Sequence, residues 1–138
     1  MTGGAVALVA AILTTAALAS HALACPAAEQ GFQRLASGDA EVAYRWDPAE
    51  LKVGRFFAAE VIACRTPGAG PVREIRIDAT MPAHGHGMNY RPAADETAPG
   101  HYKFTGLMLH MAGTWRHTID LVQGAKRTRL THEVKLAP

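Results

Sequence analysis

The fold is decided most clearly by residues 72–80, which read Val-Arg-Glu-Ile-Arg-Ile-Asp-Ala-Thr. Ile75, Ile77 and Ala79 alternate with charged residues. Successive side chains of a β-strand point to opposite faces of the sheet, so this alternation predicts a strand with one buried face and one solvated face. The stretch runs directly into residues 81–88, which are rich in histidine and methionine.

Similar patterns recur along the chain, separated by turns rich in glycine and proline. We predict strands over residues 41–46, 56–63, 72–80, 102–110, 114–122 and 127–136, with the apolar run 56–63 as a central strand. Six or seven short strands in about 100 residues indicate an all-β fold, an immunoglobulin-like antiparallel β-sandwich of about seven strands. Residues 27–37 predict a short helix or coil that ends at Gly38, and residues 91–100 predict a loop.

The first 24 residues differ from the rest, because they contain no Asp, Glu, Lys or Arg. They end in Ala22-Leu23-Ala24, the small-x-small pattern of a secretory cleavage site. We therefore predict a signal peptide over residues 1–24 and a single periplasmic domain over residues 25–138. An uncleaved membrane anchor is the second alternative, because about 20 apolar residues span a bilayer, and a lipoprotein modified at Cys25 is the third.

The two cysteines, Cys25 and Cys64, fit an exported domain. In an oxidising compartment such a pair usually forms a disulfide. This disulfide would close a loop of about 40 residues and stabilise the fold by roughly 3–4 kcal/mol. The alternative is that Cys64 is a thiolate ligand of copper, which would leave Cys25 unpaired.

Residues 81–88 read Met-Pro-Ala-His-Gly-His-Gly-Met and are the first half of a candidate metal site. In a strand, His84, His86 and Met88 would project to one face and could converge on one ion. In a loop, the intervening glycines would instead let the backbone fold around the ion. Met81 has the wrong parity for the strand geometry and ranks lower. The alternative is a glycine-rich loop whose histidines are incidental.

A second pair, His110-Met111, forms the other half of the candidate site. Adjacent residues of a regular strand face opposite ways, so both could bind one ion only at a strand end. Ala112-Gly113 predicts a bend there. The alternative is that Met111 fills the hydrophobic core.

Imidazole and thioether ligands together favour copper, and Cu(I) more than Cu(II). Zinc sites use cysteine, histidine and carboxylate ligands, and a blue-copper site needs a cysteine thiolate that neither cluster has nearby. The expected ligands are His84, His86, Met88, His110, Met111 and Met81. We predict that His117 and His132 are satisfied histidines of the core and that His101 is an exposed turn residue.

Three motifs together resemble the YtkA-like/FixH-like family of small exported or membrane-anchored β-sandwich domains. They are Met-Pro-x-His-x-His-Gly-Met-Asn-Tyr over 81–90, Gly-His-Tyr-Lys-Phe-x-Gly over 100–106 and Leu-His-Met-x-Gly-x-Trp over 109–115. The resemblance implies structural roles for Gly100, Tyr102, Gly113 and Trp115, and metal-ligand roles for the histidines and methionines named above. Resemblance to FixH-like members implies a role in copper delivery or cytochrome oxidase assembly. The use of His and Met is also similar to that of periplasmic copper chaperones of the PCuAC type, although the ligand order differs.

The function that follows is that of a periplasmic copper-binding protein, either a chaperone or a protein of copper resistance and homeostasis. Its partners would be the copper ion and a membrane or periplasmic cuproprotein. A net charge of +2 is too mild to favour nucleic acid. The alternative is an interaction module without metal that assists a membrane complex such as a cytochrome oxidase. The sequence contains no Ser/His/Asp or Cys/His pattern that would indicate an enzyme.

Overall fold

The computed structural model describes residues 1, 25, 30–64 and 68–138. Two antiparallel sheets pack into a sandwich, as the sequence predicts. The strands in these residues are β1 (Gln33–Ser37), β2 (Ala40–Asp47), β3 (Phe56–Ala63), β4 (Val72–Met81), β5 (His86–Gly87), β6 (Ala93–Ala98), β7 (His101–Met108), β8 (Gly113–Gln123) and β9 (Lys126–Leu136). One sheet has the order β1-β2-β3-β7-β6, and the other has the order β5-β4-β8-β9.

The predicted alternation matches the observed burial of the strands. In β4, Ile75, Ile77 and Ala79 are buried, whereas Arg76 and Asp78 between them are exposed. Strand β3 lies at the centre of the five-stranded sheet, which explains why its apolar run is nearly continuous. The core between the sheets is filled by the inward residues of β2, β3, β4, β7, β8 and β9.

The predicted helix over residues 27–37 is wrong for the part that the structure describes. Gln33–Ser37 form strand β1, which pairs with β2 from Gln33 opposite Tyr44 to Ser37 opposite Ala40. Backbone pairing at the sheet edge satisfies hydrogen bonds that a short isolated helix would have to satisfy alone, so tertiary context overrides local propensity. The predicted signal peptide, residues 1–24, lies outside the described residues except for Met1.

The predicted loop over residues 91–100 contains strand β6, which pairs with β7 at the sheet edge. All six residues of β6 are exposed, so they lack the hydrophobic alternation by which a sequence reveals a strand. Among the described residues, none forms a helix of the length and apolar character that a membrane crossing requires.

A smaller hydrophobic cluster covers the outer face of the five-stranded sheet. Phe32, Ala43, Ile62 and Cys64 are buried there, and Cys25 packs against them. Cys25 and Cys64 form the predicted disulfide, with their Cα atoms 5.1 Å apart, within the usual range for such bridges. The bridge attaches the N-terminal segment to the sheet and leaves Cys64 without the thiolate that copper ligation would need.

Candidate metal centre

The histidine-rich segments meet at one end of the sandwich. Strand β4 ends there at Met81, β7 ends there at Met108, and β8 begins there at Gly113. The loop between β7 and β8 is held against the neighbouring 48–55 loop by a hydrogen bond from the Gly54 amide to the Leu109 carbonyl, 2.9 Å long. The antiparallel pairing of β4 with β8 brings the segment after β4, residues 82–88, close to the segment before β8, residues 109–112.

A tight turn places His84 and His86 at this end. The Met81 carbonyl accepts hydrogen bonds from the amides of His84 and Gly85, at 3.1 and 3.0 Å. Gly85 has a φ of 67°, in the left-handed region that glycine adopts at little cost. The chain thereby reverses, and strand β5 runs back along β4 with His86 opposite Met81.

This reversal excludes a continuous strand and agrees with the loop alternative at Gly85, where the backbone folds back. His84 lies in the turn, so the strand parity that would align it with His86 and Met88 does not apply. The parity objection to Met81 is also wrong, because directly opposite residues of an antiparallel pair share a face.

Three of the predicted ligands form a cluster of imidazole rings. The ring centroids of His84 and His86 are 5.7 Å apart, and those of His86 and His110 are 5.1 Å apart. The His86 Nε2 and His110 Nδ1 atoms are buried and have no hydrogen-bond partner. Two imidazoles that share one metal at about 2 Å per bond place their centroids roughly 5–6 Å apart. The distance between the His86 and His110 centroids falls within this range.

Trp115 forms the inner wall of the histidine cluster. Its side chain is fully buried, and its ring lies edge-on to His110 and His86, with centroids 5.3 and 6.0 Å away. The indole Nε1–H donates to the Met111 carbonyl at 2.9 Å. The resemblance implied only a structural role for Trp115, whereas the structure also brings its ring into contact with His86 and His110.

The predicted methionines occupy three different environments. Met81 is buried beneath the hairpin and lies so close to Gly113 that a Cβ there would come within 3.0 Å of its Cε. Met111 is exposed beside the backbone contact to Trp115. Met88 packs against the main core and lines a groove with Tyr90. Met81 also belongs to the main core but pairs with His86, and Met111 follows His110 in the chain.

The three histidines are not preassembled as a three-imidazole chelate. In the described part of the chain, Cys25, Glu41 and Cys64 are the one group of three His, Cys or acidic residues whose ligand atoms all lie within 4.8 Å of one another. Both cysteines of that group are in the disulfide. At the histidine cluster, the His86–His110 pair would take its further ligands from the neighbouring thioethers or from His84.

The remaining histidines differ from the sequence prediction in two respects. His117 is buried as predicted, but neither of its ring nitrogens has a hydrogen-bond partner, so it is not the satisfied core residue expected. His132 is partly buried opposite it on β9. His101 is not an exposed turn residue but the partly buried first residue of β7.

Solved structures of similar fold support the architecture. A DUF4426 family protein from Pseudomonas aeruginosa PAO1 is 15% identical, with a TM-score of 0.54 over 79% of this chain and 97% of its own. A DUF4785 family protein from Legionella pneumophila is 11% identical, with a TM-score of 0.51 over 72% of this chain and 28% of its own. At these identities the likeness concerns the fold alone.

Comparison with curated protein sequences gives no match. The sequence profile of the YtkA-like family matches residues 36–120, which covers more than half of the chain and includes every predicted ligand. The match spans strands β2 to β7 and most of β8. The chain therefore belongs to the YtkA-like family.

Proposed function

We propose that this protein binds Cu(I) as an exported copper chaperone or copper-homeostasis protein. The observation that carries the proposal is the pair of facing imidazoles, His86 and His110, each with a buried nitrogen that lacks a partner. Leaving a buried polar atom unpaired usually costs about 1–3 kcal/mol. A bound metal ion would satisfy both atoms at once.

The surroundings of the two imidazoles favour Cu(I) over harder ions. Met81 lies opposite His86 on the neighbouring strand, and Met111 follows His110 in the chain. Both could supply thioethers, which are soft ligands that select Cu(I). A blue-copper site would need a thiolate, and both cysteines are in the disulfide. The copper would therefore be carried as cargo, and we assign the site no catalytic role.

Exposure divides the ligands into an inner and an outer set. His86 and His110 are partly buried, whereas His84 and Met111 are exposed. We assign the inner pair to retention of the ion and the outer pair to its entry and release. Such graded exposure suits a carrier, because a partner protein could reach the outer ligands while the ion remains bound. Met81 would form the floor of the site, and Met88 ranks last.

An oxidising compartment is part of the same proposal. The predicted signal peptide over residues 1–24 and the disulfide between Cys25 and Cys64 both support export to the periplasm. Detection of the protein in a periplasmic extract, with an N-terminus at Cys25 by mass spectrometry, would support this location.

The test is an anaerobic Cu(I) titration against a chromogenic chelator. The double variant His86→Ala/His110→Ala should lose at least about tenfold in affinity, which corresponds to about 1.4 kcal/mol. His101→Ala is the matched control, because this partly buried histidine lies at the opposite end of β7 and should leave the affinity unchanged. Equal affinity of the double variant and the wild type would refute the site.

A second candidate function is a docking module without metal. The exposed aromatic residues Phe56 and Tyr90 support it, because their rings pack edge to face at 5.2 Å although the side chains are 58% and 45% exposed. They lie near the same end of the sandwich as the histidine cluster. On this hypothesis, Phe56→Ser/Tyr90→Ser would abolish binding to a purified cytochrome oxidase complex in detergent, and copper would have no effect on that binding.

A further inference from the structure

His117 is a buried histidine whose environment the proposed copper site does not explain. It lies in the middle of β8, 2% exposed, and both of its ring nitrogens lack hydrogen-bond partners. Its ring packs against Trp46 at a centroid distance of 4.6 Å and against Phe57 at 6.2 Å. The great majority of buried side-chain nitrogens in proteins have a partner. An imidazole with none requires a physical reason.

A second histidine faces His117 across the sheet. His132 on β9 is its directly opposite partner, so both side chains lie on the inner face, with Cβ atoms about 4.5–5.5 Å apart. Strand β9 is the edge strand of its sheet, and His132 is only partly buried. An ion could therefore reach the pair through His132, the more exposed of the two histidines.

The other groups around the pair limit which ion could bind. The Tyr44 ring lies 5.4 Å from His132, but its hydroxyl already donates to Gln33 Oε1 at 2.7 Å. Glu133, next to His132 in sequence, accepts hydrogen bonds from Arg116 at 2.9 and 3.2 Å. Two neutral imidazoles are left as ligands within an aromatic enclosure.

This enclosure suits a singly charged soft ion. The cost of burying an ion rises steeply with its charge, and here no buried carboxylate from the groups just named offsets it. Trp46 presents an aromatic ring beside His117, and such rings attract cations. Imidazole is a good ligand for copper, and Cu(I) accepts as few as two ligands, unlike the tetrahedral zinc ion.

We propose that His117 and His132 form a second Cu(I) site at the β9 edge of the sandwich. The site has only nitrogen ligands and shares no residue with the His86–His110 site. The protein would then hold two Cu(I) ions, one at the loop end for exchange and one in the interior. The second ion extends the proposed function but does not depend on the ligands assigned there.

The first experiment measures Cu(I) stoichiometry anaerobically, with a chromogenic chelator as competitor. The wild type should bind two equivalents, and His132→Ala and His86→Ala/His110→Ala should each bind one. His101→Ala is again the control and should bind two. Two equivalents retained by His132→Ala would overturn the proposal. One equivalent in His132→Ala with two in His86→Ala/His110→Ala would leave this site standing and refute only the site of the proposed function.

The second experiment avoids any change in the core, because His117→Ala could simply unfold the protein. In His86→Ala/His110→Ala, Ag(I) is added as a redox-inert substitute for Cu(I), and the imidazole ¹⁵N resonances are followed by NMR. One ring nitrogen of His117 and one of His132 should shift together at one equivalent. Unchanged His117 resonances at saturation would overturn the proposal, even if some Ag(I) binds elsewhere.

Discussion

The two histidine regions of this protein differ in what surrounds their unpaired nitrogens. At the loop end, His86 and His110 are partly buried with ring centroids 5.1 Å apart, and they have the exposed His84 and Met111 as chain neighbours. In the interior, His117 lies among aromatic rings, directly opposite His132 on the neighbouring strand. Trp115 lies two residues before His117 on the same face of β8 and contacts both loop histidines. Position along one strand therefore separates the loop-end pair, to which we assign copper exchange, from a buried pair.

Removal of Trp115 should break both regions and have the largest effect. Trp115→Ala deletes a fully buried indole and should lower the free energy of unfolding by about 3–5 kcal/mol. Trp115→Phe keeps an aromatic ring but loses the hydrogen bond to the Met111 carbonyl. This variant should lose only about 1 kcal/mol of unfolding free energy. Urea denaturation at pH 7 measures both. A loss below about 1 kcal/mol in the alanine variant would contradict the central role of Trp115.

Acidification should affect the interior region selectively. Burial, and to a lesser extent the nearby His132, lowers the pKa of His117 from 6.5 to about 4. The unfolded chain therefore binds an additional proton between these values, so stability is full above pH 6.5 and falls as the pH drops towards 4. The loss should approach about 3 kcal/mol. Urea denaturation between pH 7 and pH 5, before most carboxylates titrate, should show about 2 kcal/mol of this loss.

The matched variant for this pH effect is His117→Leu, which keeps an apolar group of similar size. It should show a flatter dependence of unfolding free energy on pH over the same range. The slope should not vanish, because burial also lowers the pKa of His132. An unchanged slope would mean that His117 is not the source of the acid sensitivity.

Gly113→Ala should disturb the loop end by a smaller amount. Gly113 has a φ of 127°, and a Cβ there would come within 3.0 Å of Met81 Cε. We expect a loss of about 1–3 kcal/mol from backbone strain and crowding. In a Met81→Val background the crowding part should disappear, so a double-mutant cycle on unfolding free energies should give a coupling of at least about 0.5 kcal/mol. If the losses of the two single variants simply add, the destabilisation by Gly113→Ala comes from backbone strain alone.

The smallest effect distinguishes two of the methionines. Met111→Leu should weaken Cu(I) binding several-fold, because Met111 lies beside the indole that lines the histidine cluster. Met88→Leu should change it less than about twofold, because that side chain packs against the core. Both substitutions conserve volume and should cost less than about 1.5 kcal/mol of stability. A larger loss of affinity in Met88→Leu would restore it to the ligand set.

The sequence predicted most of the sandwich because its inner strands carry strong hydrophobic alternation. Strands β2, β3, β4, β7, β8 and β9 all lie within about two residues of their predicted bounds. Strands β1 and β6 were missed because their pairing is at sheet edges, where few side chains are buried. Edge pairing depends on backbone groups that every residue has, so composition does not mark it.

The candidate ligands could be read from residue types, but their geometry could not. Two histidines and two methionines within eight residues, followed by His110-Met111, suffice to predict a soft-metal site. Whether His86 faces Met81 or points away from it depends on the turn at Gly85. The pairing of His117 with His132 depends likewise on the register of β8 against β9.

The sequence by itself determined the fold class and the disulfide partners, and it supplies the predicted export signal and the chemical character of the candidate ligands. These follow from local pattern and from the chemistry of single side chains. Tertiary structure alone decided that His86 and His110 meet at one end of the sandwich and that His117 is enclosed without a partner. Distances between residues 20 or more positions apart depend on strand register and sheet packing, which no short stretch of sequence specifies.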